Sequence, residues 1–132
     1  MFLHISYPEI QSFAKEHKHI ITISYVNERT IKICKKMIFF GVEQTVDINL
    51  RIEAVESNNL VLAHDNDILV KSVMQYIELC YPEHLTLLRL LPDNRIVLCM
   101  DQIPQLRDDL EHLTLTSFGF TENGVTIGVD TH

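Results

Sequence analysis

The chain has 132 residues, 46% of them apolar and 22% charged, with four glycines and four prolines. That composition fits one ordinary globular domain spanning residues 1–132 and excludes disordered, collagen-like and low-complexity classes. Eleven Lys+Arg against eighteen Asp+Glu leave a formal net charge of −7, which argues against nucleic acid as a partner.

Phe2, Leu3 and Ile5 predict a short first strand. Ser6-Tyr7-Pro8-Glu9 then reads as a capped helix start, with Ile10, Phe13 and Ala14 at helical spacing. Residues 20–26 (IITISYV) are β-branched and aromatic, hence a strand. After an Asn27-Glu28 turn, a long strand runs from Thr30 to Phe40. Its apolar run Met37-Ile38-Phe39-Phe40 implies cover on both faces or a bulge, and Gly41 favours a bend. The clearest pattern follows: Val46, Ile48, Leu50, Ile52 and Ala54 alternate with Thr45, Asp47, Asn49, Arg51 and Glu53, a half-buried antiparallel strand. Ser57-Asn58-Asn59 turns the chain into Leu60-Val61-Leu62-Ala63.

Asp67 is placed to cap a second helix over 68–80. Its apolar residues far exceed a 100° stripe, so enclosure on most sides is expected. Pro82 ends it. Leu85–Leu91 and Arg95–Met100 flank Pro92-Asp93-Asn94 as a strand pair. Asp101 starts a third helix carrying Ile103, Leu106 and Leu110 on one face and Arg107, Asp108, Asp109 and Glu111 on the other. Leu113 to Phe120 and Val125 to Val129 form a last hairpin around Glu122-Asn123-Gly124, where Asn-Gly signals the turn. The expected fold is α+β: a mainly antiparallel, curved sheet of about 8–9 strands wrapped on the apolar middle helix, plus two amphipathic helices.

Chemistry-bearing residues are present without the spacing that chemistry needs. His17 and His19 lie at a helix end with no third ligand suggested, so no metal is expected. His64-Asp65-Asn66-Asp67 starts like a calcium loop, but the sixth and twelfth positions from Asp65 are Val70 and Tyr76 rather than Gly and Glu. Asp108, Asp109 and Glu111 read as a solvated helix face. No nucleophile elbow, phosphate loop or cofactor fingerprint occurs, so neither an enzyme nor a cofactor is expected. Cys34 has Lys32 and Lys36 on its own face of the strand, which favours a thiolate, but no catalytic context surrounds it and a reactive thiol is not expected. Cys34, Cys80 and Cys99 are odd in number and lack CxxC spacing, as suits small buried side chains in a reducing compartment. MFLHISYPEI has no basic-then-apolar secretory pattern, and no run is long enough to span a membrane; a cytoplasmic location is expected. Charge is uneven: residues 1–36 carry six basic and three acidic side chains, a net of +3, and the rest carry five and fifteen, a net of −10.

The segments TVDINLRIEAVESNNLVL and DQIPQLRDDLEHLTLTSFGFTENGVTIGV resemble, over roughly residues 43–129, small bacterial α+β proteins of unknown role and the tubular lipid-binding (TULIP, BPI-like) modules. The resemblance implies a sheet wrapped on a helix and an apolar ligand cavity. Together with the apolar surplus of the middle helix and of 37–40 and 85–91, it gives the expected function: a non-enzymatic binding module. Its apolar groove would be lined by Met37, Phe39, Leu69, Val73, Met74, Ile77, Leu87 and Phe118 and would take a lipid-like molecule. The alternative is a structural or adaptor protein that forms a homo-oligomer through the same surface.

Overall fold

The computed structural model describes residues 1–16, 19–80, 82–84, 86–102 and 111–131. Among them are nine strands and two helices, an α+β fold. Every strand pair is antiparallel. Strand β1 (Phe2–Ser6) leads into helix α1 (Tyr7–Glu16), whose start is the predicted capping box. The Glu9 amide donates to Ser6 Oγ at 3.3 Å, and Ser6 Oγ donates to Glu9 Oε1 at 2.9 Å. Tyr7 is buried and its hydroxyl donates to the Thr121 carbonyl at 2.6 Å, while Phe13 stands exposed.

Four strands meander next: β2 (Ile21–Asn27), β3 (Thr30–Phe39), β4 (Val42–Glu56) and β5 (Asn59–His64). Strand β4 bears out the alternation read from 43–54, with Ile48 and Ile52 buried and Asp47 and Arg51 outside. A register shift between Ile52 and Ala54 then brings Val55 opposite Leu60. Ser57 and Asn58, at φ 48° and 66°, make the tight turn that joins β4 to β5. The run Met37–Phe40 is neither bulged nor covered on both faces. Its register is continuous to Phe39 opposite Val42, Ile38 and Phe40 are exposed, and Phe40-Gly41 is the hairpin turn itself.

Helix α2 (Asp67–Cys80) follows, then a single turn at Pro82–His84 and strands β6 (Leu88–Leu91) and β7 (Arg95–Cys99), joined through Asp93 and Asn94 at positive φ. Strand β6 is shorter than the expected 85–91: Thr86 and Leu87 form a turn. After one turn at Met100–Gln102 the expected third helix falls on 103–110, outside the described residues. The last hairpin is β8 (Leu113–Phe120) and β9 (Gly124–Thr131).

The expected single sheet is in fact two. One is six-stranded, in the order β2-β3-β4-β5-β7-β6; the other is three-stranded, β1-β9-β8. The division follows from the first strand. It pairs with the last, Leu3 opposite Ile127, a contact no local pattern announces. The two sheets share one cluster of buried side chains. Ile31, Ile48, Ile52, Leu60, Leu62 and Ile96 come from the larger, and Leu115, Phe120, Val125, Ile127 and Val129 from the smaller. The joint is also hydrogen-bonded: Leu115 N donates to Asn58 Oδ1 at 2.8 Å and Phe120 N to the Glu28 carbonyl at 2.9 Å.

Candidate functional site

Helix α2 begins at a loop clamped to β4. Asp65 accepts from the Asn49 amide at 2.8 Å and from Asn49 Nδ2 at 2.6 Å, and Asn66 Nδ2 donates to the Asp47 carbonyl at 2.9 Å. The cap is Asn66, whose Oδ1 accepts from Leu69 N at 3.0 Å, and not Asp67 as expected. Asp67 lies inside the first turn and pairs with Lys71 at 2.8 Å, one helical turn on. The hydrogen bonds from Asn49 hold the Asp65 carboxyl below its ordinary range.

The expected enclosure of α2 is not observed. Leu69 and Val70 are its buried residues, Met74 and Ile77 are half-buried, and Ile68 and Leu79 are 81% and 83% exposed. Farther along, Tyr76 meets His19 edge to face at 5.6 Å, and Lys35 Nζ lies 3.0 Å from His19 Nδ1. So the helix joins the core through Leu69 and Val70 of its first turn and shows Ile68 and Leu79 to solvent.

The eight residues expected to line one groove are distributed accordingly. Leu69 belongs to the core, and Met37 and Phe118 pack against it. Phe118 does so from the smaller sheet, edge to face on Phe120 at 5.9 Å. Met74, Ile77 and Leu87 are half-buried outside that cluster, and Val73 is exposed. Phe39 ends β3, and its side chain lies outside the described residues. A shallow pocket of about 270 Å³ lies elsewhere, between Pro8, Gln11, Ser12 and Lys15 of α1 and Ile20 and Ile21.

Apolar side chains stand exposed in two further places, one of them the apolar run 37–40. At the end of the β3–β4 hairpin these are Ile38, Phe40 and Val42; on β1 they are Phe2, Leu3 and Ile5. Phe2 is 74% exposed, with its ring over Gly128.

Among the ionisable groups, Cys34 is the informative one. It sits opposite Asp47 on the outer face of the larger sheet, and its thiol donates to the Asp47 carboxylate. That hydrogen bond raises the thiol pKa; desolvation and the charge of Asp47 add to it, and Lys32 works against it. Lys32 is itself paired with Asp47 at 3.3 Å, so the carboxylate, not the lysine, decides the protonation of Cys34. Asp47 therefore disfavours the thiolate that Lys32 alone would favour. At mildly alkaline pH, iodoacetamide is expected to label exposed Cys80 well ahead of Cys34, and Asp47→Asn is expected to speed labelling of Cys34 severalfold. Peptide mass spectrometry over a time course reads both. His64 is the other: it is buried on the core side of β5, 8% exposed, and its Nδ1 has no hydrogen-bond partner among the described residues. Among those residues no three His, Cys, Asp or Glu side chains group as a metal site.

No protein-family model, curated protein or solved structure matches the chain. No described helix is long and apolar enough to cross a membrane.

Proposed function

We propose that this protein is a non-catalytic interaction module that associates with a second copy of itself through apolar side chains on its surface. One observation carries this reading: large aliphatic and aromatic residues stand in solvent on β1, on the β3–β4 hairpin end and on α2, although sixteen other side chains among the described residues are buried in one core cluster. Isolated exposed apolar residues are ordinary, but Phe2, Leu3 and Ile5 lie together on one short strand, and apolar side chains grouped in this way mark contact surfaces. A two-fold contact needs only one self-complementary patch. Of the three free cysteines expected to be buried, Cys99 is buried, Cys34 is half-buried and Cys80 is exposed.

A second reading keeps the expected apolar ligand. It rests on Met74 and Ile77, half-buried on the underside of α2, and on Met37 at the margin of the core. An acyl chain laid against these side chains would cover them.

Native mass spectrometry of freshly purified protein separates the two. A concentration-dependent dimer mass without added ligand mass supports self-association. A monomer carrying a copurified lipid supports the ligand reading and overturns the first.

A further inference from the structure

We propose that the self-association runs edge to edge along β1. Two copies would pair antiparallel about Leu3, so that each three-stranded sheet continues into the other as one sheet. The inference rests on the self-association reading and names its surface.

The hydrogen-bond alternation of β1 carries it. Met1 and Val129 exchange both bonds, at 3.2 and 2.9 Å, and Tyr7 N donates to the Asn123 carbonyl at 3.1 Å. In an antiparallel ladder bonded pairs recur at every second residue, so Leu3 and Ile5 also face β9. Phe2, His4 and Ser6 therefore direct their backbone groups outward, at the edge of the sheet. The Ser6 amide is already used by Glu9 Oε1 at 3.4 Å. That leaves the N–H and C=O of Phe2 and His4. Pairing about Leu3 sets Phe2 against His4 of the second copy, and reciprocally His4 against Phe2. All the open groups in both chains are then satisfied by one another.

The side chains agree with this register. On one face Leu3 meets Leu3 of the second copy and Ile5 meets Met1. This is the face of Val125 and Ile127, so the contact prolongs the core across the dyad. On the other face Phe2 lies across from His4, an aromatic cross-strand pair. Strand β1 carries no Lys, Arg, Asp or Glu that would repel its own copy, and no proline or bulge. At other sheet edges some backbone groups are already engaged or flanked by charge. Gln11 Oε1 accepts from Ile23 N on β2 at 3.0 Å, Asn58 and Glu28 cover β8, and β6 has four residues with Arg89 among them. So β1 joins open backbone groups to a straight strand without charged side chains, the combination that invites edge pairing.

The contact is small, so the dimer is expected to be weak and visible only at high protein concentration. Sedimentation velocity on the full chain tests it, with two variants. His4→Pro deletes an outward N–H while leaving the backbone ladder to β9 intact and removing only the exposed 3.5 Å contact of His4 Nδ1 with Thr126 Oγ1, and Leu3→Lys places charge on the dyad. Each is expected to weaken dimerisation about tenfold or more with the circular dichroism spectrum unchanged. In the wild type, amide exchange at Phe2 and His4 is expected to slow as concentration rises. A wild-type dimer that both variants leave intact overturns the β1 assignment but not self-association; its loss in Ile68→Lys would move the contact to α2. A wild-type chain that stays monomeric overturns both, including the outcome in which β1 takes an extended peptide of another protein.

Discussion

Replacing Leu60 by alanine is expected to cost about 3–4 kcal/mol, enough to lower the melting temperature by roughly 10 °C in a chain of this length. Leu60 is 1% exposed, the most deeply buried large side chain described. It stands on β5 with Val55 of β4 on one side and Leu98 of β7 on the other, at the interior of the six-stranded sheet. The turn just before it is tied to the smaller sheet through Asn58. Truncation removes apolar atoms from the core and leaves a void that two sheets and their joint are poorly placed to close. Leu79→Ala deletes the same atoms from a side chain that is 83% exposed and is expected to change stability by less than about 0.5 kcal/mol. Urea unfolding of the two variants beside the wild type measures the contrast. A loss below about 1 kcal/mol for Leu60→Ala would mean that the core is not centred where β5 places it.

The contrast between two leucines shows where sequence reading succeeded and where it stopped. Local devices were legible. Ser6 and Glu9 form the box their spacing announces, and the alternation from Val46 to Ile52 sorts buried from exposed faces. Both depend on neighbours a few residues away. What was not legible depends on residues far apart. Leu3 and Ile5 read as an ordinary strand, and nothing near them says that their partner is Val125–Ile127 or that the other edge stays open. In α2 the apolar residues cover most of the helix circumference, and composition cannot say which of them a sheet will cover; Leu69 went in and Leu79 stayed out. The cap is similar. Asp65, Asn66 and Asp67 are all competent, and Asp65 is engaged by Asn49 and Asn66 by β4 only in the folded chain. The expected site shares this limit, because its eight residues have apolar character in common and their exposure is set by long-range pairing.

Gly124→Ala is expected to destabilise the protein by about 2–3 kcal/mol and to loosen β1 from β9. The Asn123-Gly124 pair suggested a glycine needed for a tight turn. The turn is instead closed by Thr121, whose amide donates to the Gly124 carbonyl at 2.8 Å and whose Oγ accepts from the amides of Asn123 and Gly124 at 3.3 and 3.2 Å. Glycine is required at 124 because Ser6 pairs directly against it: a Cβ there would collide with the Ile5 carbonyl oxygen and lie 2.8 Å from Ser6 Cα. These are backbone atoms and cannot rotate aside, so strand β1 itself must move. Gly128, on the same strand, is the control. An added Cβ would collide with Ser117 Oγ and approach Thr116 Oγ1 and the Phe2 ring, all side-chain atoms that can shift, so Gly128→Ala is expected to cost less. Thermal melts rank the two, and amide exchange locates the damage, with Leu3 and Ile5 opening first in Gly124→Ala. Because β1 supplies the proposed contact between copies, the same variant is expected to lose its dimer, whereas Gly128→Ala keeps it. Equal losses of stability in the two variants would show that β1 yields as readily as a side chain, and a strand that soft could not carry the edge pairing.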